Sequence, residues 1–124
     1  KLLDGIIHDG LWDPYGDVHM GNCAEKCAIE YNISREDQDR YATESYNRAR
    51  DAIESGAFDD EIVPVEGPKK RGKSNEPPDM ISVDEEPGSV QLEKLPKLRA
   101  AFQKDGTVTA GNAGEIGSLM MCQL

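Results

Sequence analysis

Bases are scarce in this chain: 14 lysines and arginines stand against 24 acids, for a net charge of −10. That deficit excludes a general binder of nucleic acid or of an anionic membrane surface, since both are held by clustered cations. Cysteine is sparse too, at three residues. An odd count without paired spacings excludes a disulfide scaffold and fits a reducing compartment. Long apolar runs are missing, and none approaches the ~18 residues of a membrane span. No secretory or transit peptide stands at Lys1, and LLDGII reads as an element already under way, so we expect the true N-terminus upstream. Aromatic residues make up 6% and hydrophobic residues 37% of 124, against 31% charged. This is one domain of ordinary length with a thin core, the composition of a piece that packs on a larger body.

The charge is unevenly placed. Residues 1–66 hold 16 acids and 6 bases, whereas residues 67–124 hold 8 of each. An anionic ligand would be met only where bases gather: Lys69, Lys70, Arg71 and Lys73, or Lys94, Lys97, Arg99 and Lys104. The first group reads as a solvated hairpin tip or as a polyanion patch. The acids of residues 35–61 read as solvated surface.

The chain is organised around residues 10–28, GLWDPYGDVHMGNCAEKCA. A Gly/Pro/Asp-rich loop runs into His19, Met20 and Gly21 and then into a helix start, the arrangement of a ligand-facing loop anchored by a rigid element. Trp12 and Tyr15 serve there either as packing anchors or as ligand walls. Asn22 is expected to cap the helix with Glu25 at its third position, a capping-box-like start worth about 1 kcal/mol. This helix is expected over residues 23–31 with Ala24, Cys27, Ala28 and Tyr31 inward, and Asn32 as a left-handed stop. The spacing of His19, Cys23 and Cys27 would align three zinc ligands on a helix, but no fourth ligand is near and a small buried hydrophobe is the better reading of each cysteine.

Ser34 then caps a second helix whose first turn carries Glu36, Asp37 and Asp39 near the positive end of its dipole. It is expected to reach Ser55, to bury Tyr41, Ala42, Ser45, Tyr46, Ala49, Ala52 and Ile53, and to stop at Gly56. Residues 62–65 and 80–83 pattern as two strands of a hairpin with the basic loop at its tip. Residues 84–89 read as loop, residues 92–102 as a short helix with Leu92, Leu95, Leu98 and Phe102 on one side, and residues 107–110 as a strand.

Taken in order, GLWDPYGDVHMG, the capped helix, ISREDQDRYATESYNRA, SGAFDDEIVPV and LEKLPKLRAAFQKDGTVTAGNA resemble the thiolase family. Within it they are most similar to the biosynthetic, acetyl-CoA acetyltransferase type, and to its mitochondrial, potassium-activated members. The resemblance covers residues 1–113 and leaves residues 114–124 as a divergent tail. The implied fold class is α+β: the thiolase loop domain, with an αα-hairpin, a short β-hairpin, a third helix and a final strand. The implied activity of the parent protein is acyl transfer, condensing two acetyl-CoA to acetoacetyl-CoA and the reverse thiolysis. The implied partners are a coenzyme A thioester and the remainder of the thiolase fold in a homotetramer, with no nucleic acid and no membrane. The implied location is mitochondrial, or otherwise cytoplasmic.

The resemblance assigns Leu11, His19, Met20, Tyr46, Ser89, Val90, Gln91, Lys94, Ala101 and Phe102 to coenzyme A, and potassium to Tyr46, Ala110, Gly111 and Ala113. Ser89-Val90-Gln91 falls where mitochondrial-type members carry Arg-Val-Asp. The basic loop gains a secondary role toward the nucleotide's 3′-phosphate. The family's nucleophilic cysteine lies upstream of residue 1 and its later His and Cys lie downstream. No catalytic residue is therefore expected in this chain, and it is expected to be inactive alone. The family continues GNA with Ser and Asn-Asp-Gly, whereas this chain continues Gly114-Glu115-Ile116, as intron read-through or a truncated isoform would. Three classes of role follow: part of an enzyme, a module that only binds coenzyme A or pairs with subunits, or a poorly folded fragment.

Overall fold

The computed structural model describes residues 2–68 and 78–113. Two compact units divide the chain, one formed by residues 2–44 and 91–113 and the other by residues 45–68 and 78–90. No helix among the described residues is long and apolar enough to cross a membrane.

The first unit opens with a single π-helical turn, Ile6–Gly10, and a two-stranded antiparallel hairpin, β1 Trp12–Asp13 and β2 Val18–His19, with Trp12 opposite His19. Local side chains shape its tip. The Asp13 carboxylate accepts from the N–H groups of Tyr15 and Gly16 at 3.1 and 3.0 Å, and the Trp12 indole donates to Asp17 at 3.1 Å. Asp17 itself is left-handed, at φ 52°. An Asx turn of this kind lets a sequence that reads as pure loop close a strand pair.

Helix α1 runs Met20–Glu30, three residues earlier than the sequence suggests. Its cap is His19, whose Nδ1 accepts from the Gly21 N–H at 3.0 Å, and not Asn22. Asn32 does end it, at φ 54°. The Ile33 N–H bonds the Ala28 carbonyl and the Asn32 N–H that of Ile29, a Schellman closure. Helix α2, Arg35–Glu54, starts as expected, with Ser34 Oγ accepting from the Asp37 N–H at 3.0 Å. Its far end, in the second unit, also follows expectation: Gly56 sits at φ 65° and the Ala57 N–H bonds the Ala52 carbonyl.

The expected apolar stripe of α2 is only partly covered: Tyr46, Ala49 and Ala52 are half-buried and Ser45 is exposed. Tyr41 is 70% exposed, Ile53 is exposed, and the buried residues are Gln38, Asp39 and Ala42. Tyr31 of the α1 stripe is exposed as well, while Ala24 and Ala28 are buried. The apolar core of the first unit is Ala24, Ala28, Ala42, Leu95 and Val108, interleaved with buried Glu25, Gln38, Asp39 and Thr109. Small side chains bring the backbones close, and polar ones join them.

The expected third helix shortens to a 3-10 turn, Leu92–Lys97, because Pro96 cannot continue an α-helical ladder. The chain is extended again at Leu98, and the expected strand at residues 107–110 reduces to one antiparallel bridge between Ala100 and Thr109.

In the second unit, β3 Val65–Glu66 pairs antiparallel with β4 Met80–Ile81, shorter than expected but in a hairpin register, Val65 opposite Ile81. The basic loop at Lys69, Lys70, Arg71 and Lys73 lies outside the described residues, as do residues 114–124. Residues 84–89, which read as loop, contain a one-turn helix α3, Glu86–Ser89, whose first N–H donates to Asp84 Oδ1 at 3.0 Å.

Candidate functional site

In the first unit the residues from Leu11 to Gly21 close on one another. The Met20 N–H donates to the Leu11 carbonyl at 2.9 Å, so Leu11 and Met20 are neighbours across the hairpin mouth. His19 is held at one ring edge and against one neighbouring ring. Its Nδ1 is the helix cap, which in the neutral ring puts the proton on Nε2. The Phe102 ring lies at 5.0 Å between centroids, tilted by 31°. Gly21 makes this contact feasible: a Cβ there would collide with the Phe102 ring.

Phe102 is held in turn by its neighbour. The Ala101 N–H donates to the Val108 carbonyl at 2.9 Å. Residues 107 and 108 are pinned to α1 by a group that sequence reasoning misassigns. Glu25, 2% exposed, accepts from the Thr107 N–H at 2.9 Å, the Val108 N–H at 2.9 Å and the Thr107 hydroxyl at 3.1 Å. Every one of these partners donates, as an acceptor-only carboxylate requires. Gly106 leaves room for it, since a Cβ there would collide with the Glu25 carboxylate. Gln38 adds a bond from Nε2 to Thr107 Oγ1 at 2.9 Å.

A second polar cluster secures residues 109–113. Asn112 Nδ2 donates to Asp39 at 2.9 Å and to the Thr107 carbonyl at 3.1 Å, while its Oδ1 accepts from the Thr109 N–H at 2.7 Å. Arg35 pairs with Asp39 at 2.7 Å and turns its other arm to the carbonyls of Leu95 and Leu98 at 2.8 and 3.1 Å. Leu95 and Leu98 also press on Gly111, where a Cβ would collide with both. The N–H groups of Gly111, Asn112 and Ala113 are spent on Thr109. Among the described residues none donates to the carbonyls of Ala110, Gly111 or Ala113.

Gln91 and Lys94 are exposed on the 3-10 turn, joined by the Lys94 N–H and Gln91 carbonyl at 2.9 Å. The second unit carries Tyr46, half-buried on α2, with Ser89 and Val90. Arg50 clamps that segment, donating to the Pro87 carbonyl at 2.7 Å and the Val90 carbonyl at 2.6 Å. The Ser89 hydroxyl is committed to the Glu86 carbonyl at 2.9 Å. Cys23 and Cys27 are free thiols, half-buried on α1, and no metal-holding group of His, Cys, Asp and Glu forms among the described residues.

Residues 1–118 match the family model described as Thiolase, N-terminal domain. The chain belongs to the thiolase family. An acetyl-CoA acetyltransferase of Yarrowia lipolytica is 52% identical to this thiolase chain over 116 residues, 94% of this chain and 28% of that protein. The mitochondrial acetyl-CoA acetyltransferase erg10A of Aspergillus fumigatus is 48% identical over 115 residues, 91% of this chain and 25% of that one. The crystal structure of the Acat5 thiolase of Ascaris suum in complex with coenzyme A matches with a TM-score of 0.74 at 40% identity, covering 89% of this chain and 26% of that one. The chain spans roughly a quarter of the length of these relatives.

Proposed function

We propose that this thiolase chain is the coenzyme A-binding part, the loop domain, of an acetyl-CoA C-acetyltransferase. The observation that carries the reading is the locked turn at residues 19–21: His19 capped onto Gly21, in tilted ring contact with Phe102, with Met20 bonded to Leu11. Preorganised binding groups of this kind position a substrate without ordering cost at the moment of binding. Leu11, His19, Met20, Ala101 and Phe102 take the pantetheine arm, with Gln91 and Lys94 toward the nucleotide. Tyr46, Ser89 and Val90 are assigned to the same ligand, and Ser89 and Gln91, standing in place of Arg and Asp, weaken the contacts there.

The chemistry served is nucleophilic acyl transfer. A cysteine thiolate attacks the acetyl carbonyl and expels coenzyme A thiolate; a second acetyl-CoA then loses a proton and its carbanion displaces the cysteine. Cys23 and Cys27 are assigned no part in it, and the chain by itself turns over no substrate. The resemblance assigns potassium to Ala110, Gly111 and Ala113, whose carbonyl dipoles would offset its charge much as in channel filters, and separately assigns Tyr46 to the same ion. The mitochondrion is the location this reading favours, with the cytoplasm as the other.

Calorimetric titration of the full chain with coenzyme A tests the binding role. Wild type is expected to bind and the His19→Ala/Met20→Ala double variant to lose binding; equal affinities would remove the assigned role of the turn. Clear thiolysis of acetoacetyl-CoA by the chain would overturn its assignment as non-catalytic. A second reading, a module that pairs with thiolase subunits, is favoured by exposed apolar side chains such as Leu2, Ile6 and Tyr15. Sedimentation with a full-length thiolase subunit tests it, co-migration being the expected result.

A further inference from the structure

We infer that Glu25 is a positioning residue for the ligand-facing turn at residues 19–21, acting through residues 101–108. The path is continuous and begins and ends on helix α1. The Glu25 carboxylate, 2% exposed, holds the Thr107 and Val108 N–H groups at 2.9 Å each. The Val108 carbonyl takes the Ala101 N–H at 2.9 Å. The next residue, Phe102, sets its ring 5.0 Å from that of His19, over the space that Gly21 leaves by lacking a side chain. His19 closes the circuit as the cap of the helix that carries Glu25.

A purely apolar contact at this place would let residues 107 and 108 slide, because burial has no direction. Two backbone donors on one carboxylate fix both the register and the distance of the segment, and with them the height of Phe102 above the helix end. Glu25 therefore governs the orientation of the His19 ring without itself approaching a ligand. That the ring orientation matters for coenzyme A rests on the reading given under Proposed function.

The test uses the full chain with Glu25→Gln and Glu25→Asp, one losing an acceptor at constant size and the other shortening the reach. Ala42→Gly serves as a destabilised control away from the path, and Phe102→Leu calibrates the aromatic shift. NMR of the His19 ring protons reads the Phe102 ring current. Both Glu25 variants are expected to lose most of the shift that Phe102→Leu abolishes, with helical circular dichroism retained, while Ala42→Gly keeps it. Coenzyme A affinity is expected to fall about tenfold in the Glu25 variants. An unchanged His19 shift overturns the inference whatever the ligand does. A lost shift with unchanged coenzyme A affinity overturns the link to the ligand and leaves the positioning intact. Amide exchange in wild type keeps the test valid should the variants unfold: Thr107 and Val108 are expected to be strongly protected, and exchange at the rate of open amides overturns the inference.

Discussion

Asn112 reaches across 73 positions of sequence to place its Nδ2 2.9 Å from the Asp39 carboxylate. Its Oδ1 meanwhile takes the Thr109 N–H at 2.7 Å. One amide side chain thus ties the loop of residues 109–113 both to itself and to helix α2. Replacing Asn112 with Ala leaves Asp39 half-partnered and the Thr109 N–H buried without an acceptor. We expect a loss of about 1–3 kcal/mol in urea unfolding, larger than for an exposed substitution on the same loop such as Ala110→Ser.

Gly21 and Phe102 are complementary in size. Gly21→Ala forces a methyl into the Phe102 ring and is expected to destabilise by about 1–3 kcal/mol. Phe102→Leu in the same chain should return part of that loss, so a double-mutant cycle is expected to give a favourable coupling between the two sites. Strict additivity would show that the ring moves aside at no cost.

Asp37 provides a pH handle. The Ser34 hydroxyl bond first, and then the bond and charge of Arg40, hold its carboxyl below the ordinary aspartate value. Because the folded value is the lower, the contribution to stability is present above the unfolded aspartate value and is lost as pH falls through the folded one. NMR titration of Ser34→Ala is expected to move Asp37 back up toward the ordinary value and to fray the first turn of α2. An unmoved titration would assign the effect to Arg40 alone.

Arg50 organises residues 87–90 through two carbonyls, at 2.7 and 2.6 Å. Arg50→Lys keeps the charge but loses the planar fork. We expect faster amide exchange at Ser89 in that variant, with the α2 amides of residues 36–44 unchanged. If coenzyme A contacts Ser89 and Val90, its affinity falls in parallel.

The helices were legible where a local signal fixes them. Ser34, Asn32 and Gly56 each act within three or four residues of their own position, and each does in the structure what its residue type suggests. The start of α1 was misread because Asn22 and Glu25 mimic a capping box, while the true cap, His19, is an uncommon one whose ring also lies against Phe102. Glu25, Gln38 and Asp39 could not be read as interior. The partners that bury Glu25 and Gln38 stand 82 and 69 positions away, and Asp39, although paired locally with Arg35, is also held by Asn112 73 positions away, so polar residue types alone read as surface. Tyr41 and Ile53, whose apolar character suggested burial, are exposed instead. Of the candidate site, the turn at Leu11, His19 and Met20 was legible as a loop running into a helix. The clamp by Arg50 and the residues that steady Phe102 were not, since nothing in the local pattern marks them.

The composition of the first unit's core sets how this chain responds to temperature. With Ala24, Ala28, Ala42, Leu95 and Val108 as its apolar content, unfolding releases little hydrocarbon surface, and the buried Glu25, Gln38, Asp39 and Thr109 return polar surface to water. Apolar exposure raises the heat capacity and polar exposure lowers it, so the unfolding increment per residue is expected to fall below the usual ~12–15 cal/mol/K. A flatter stability curve is the expected consequence. Calorimetric unfolding of the full chain is expected to show this smaller heat-capacity increment.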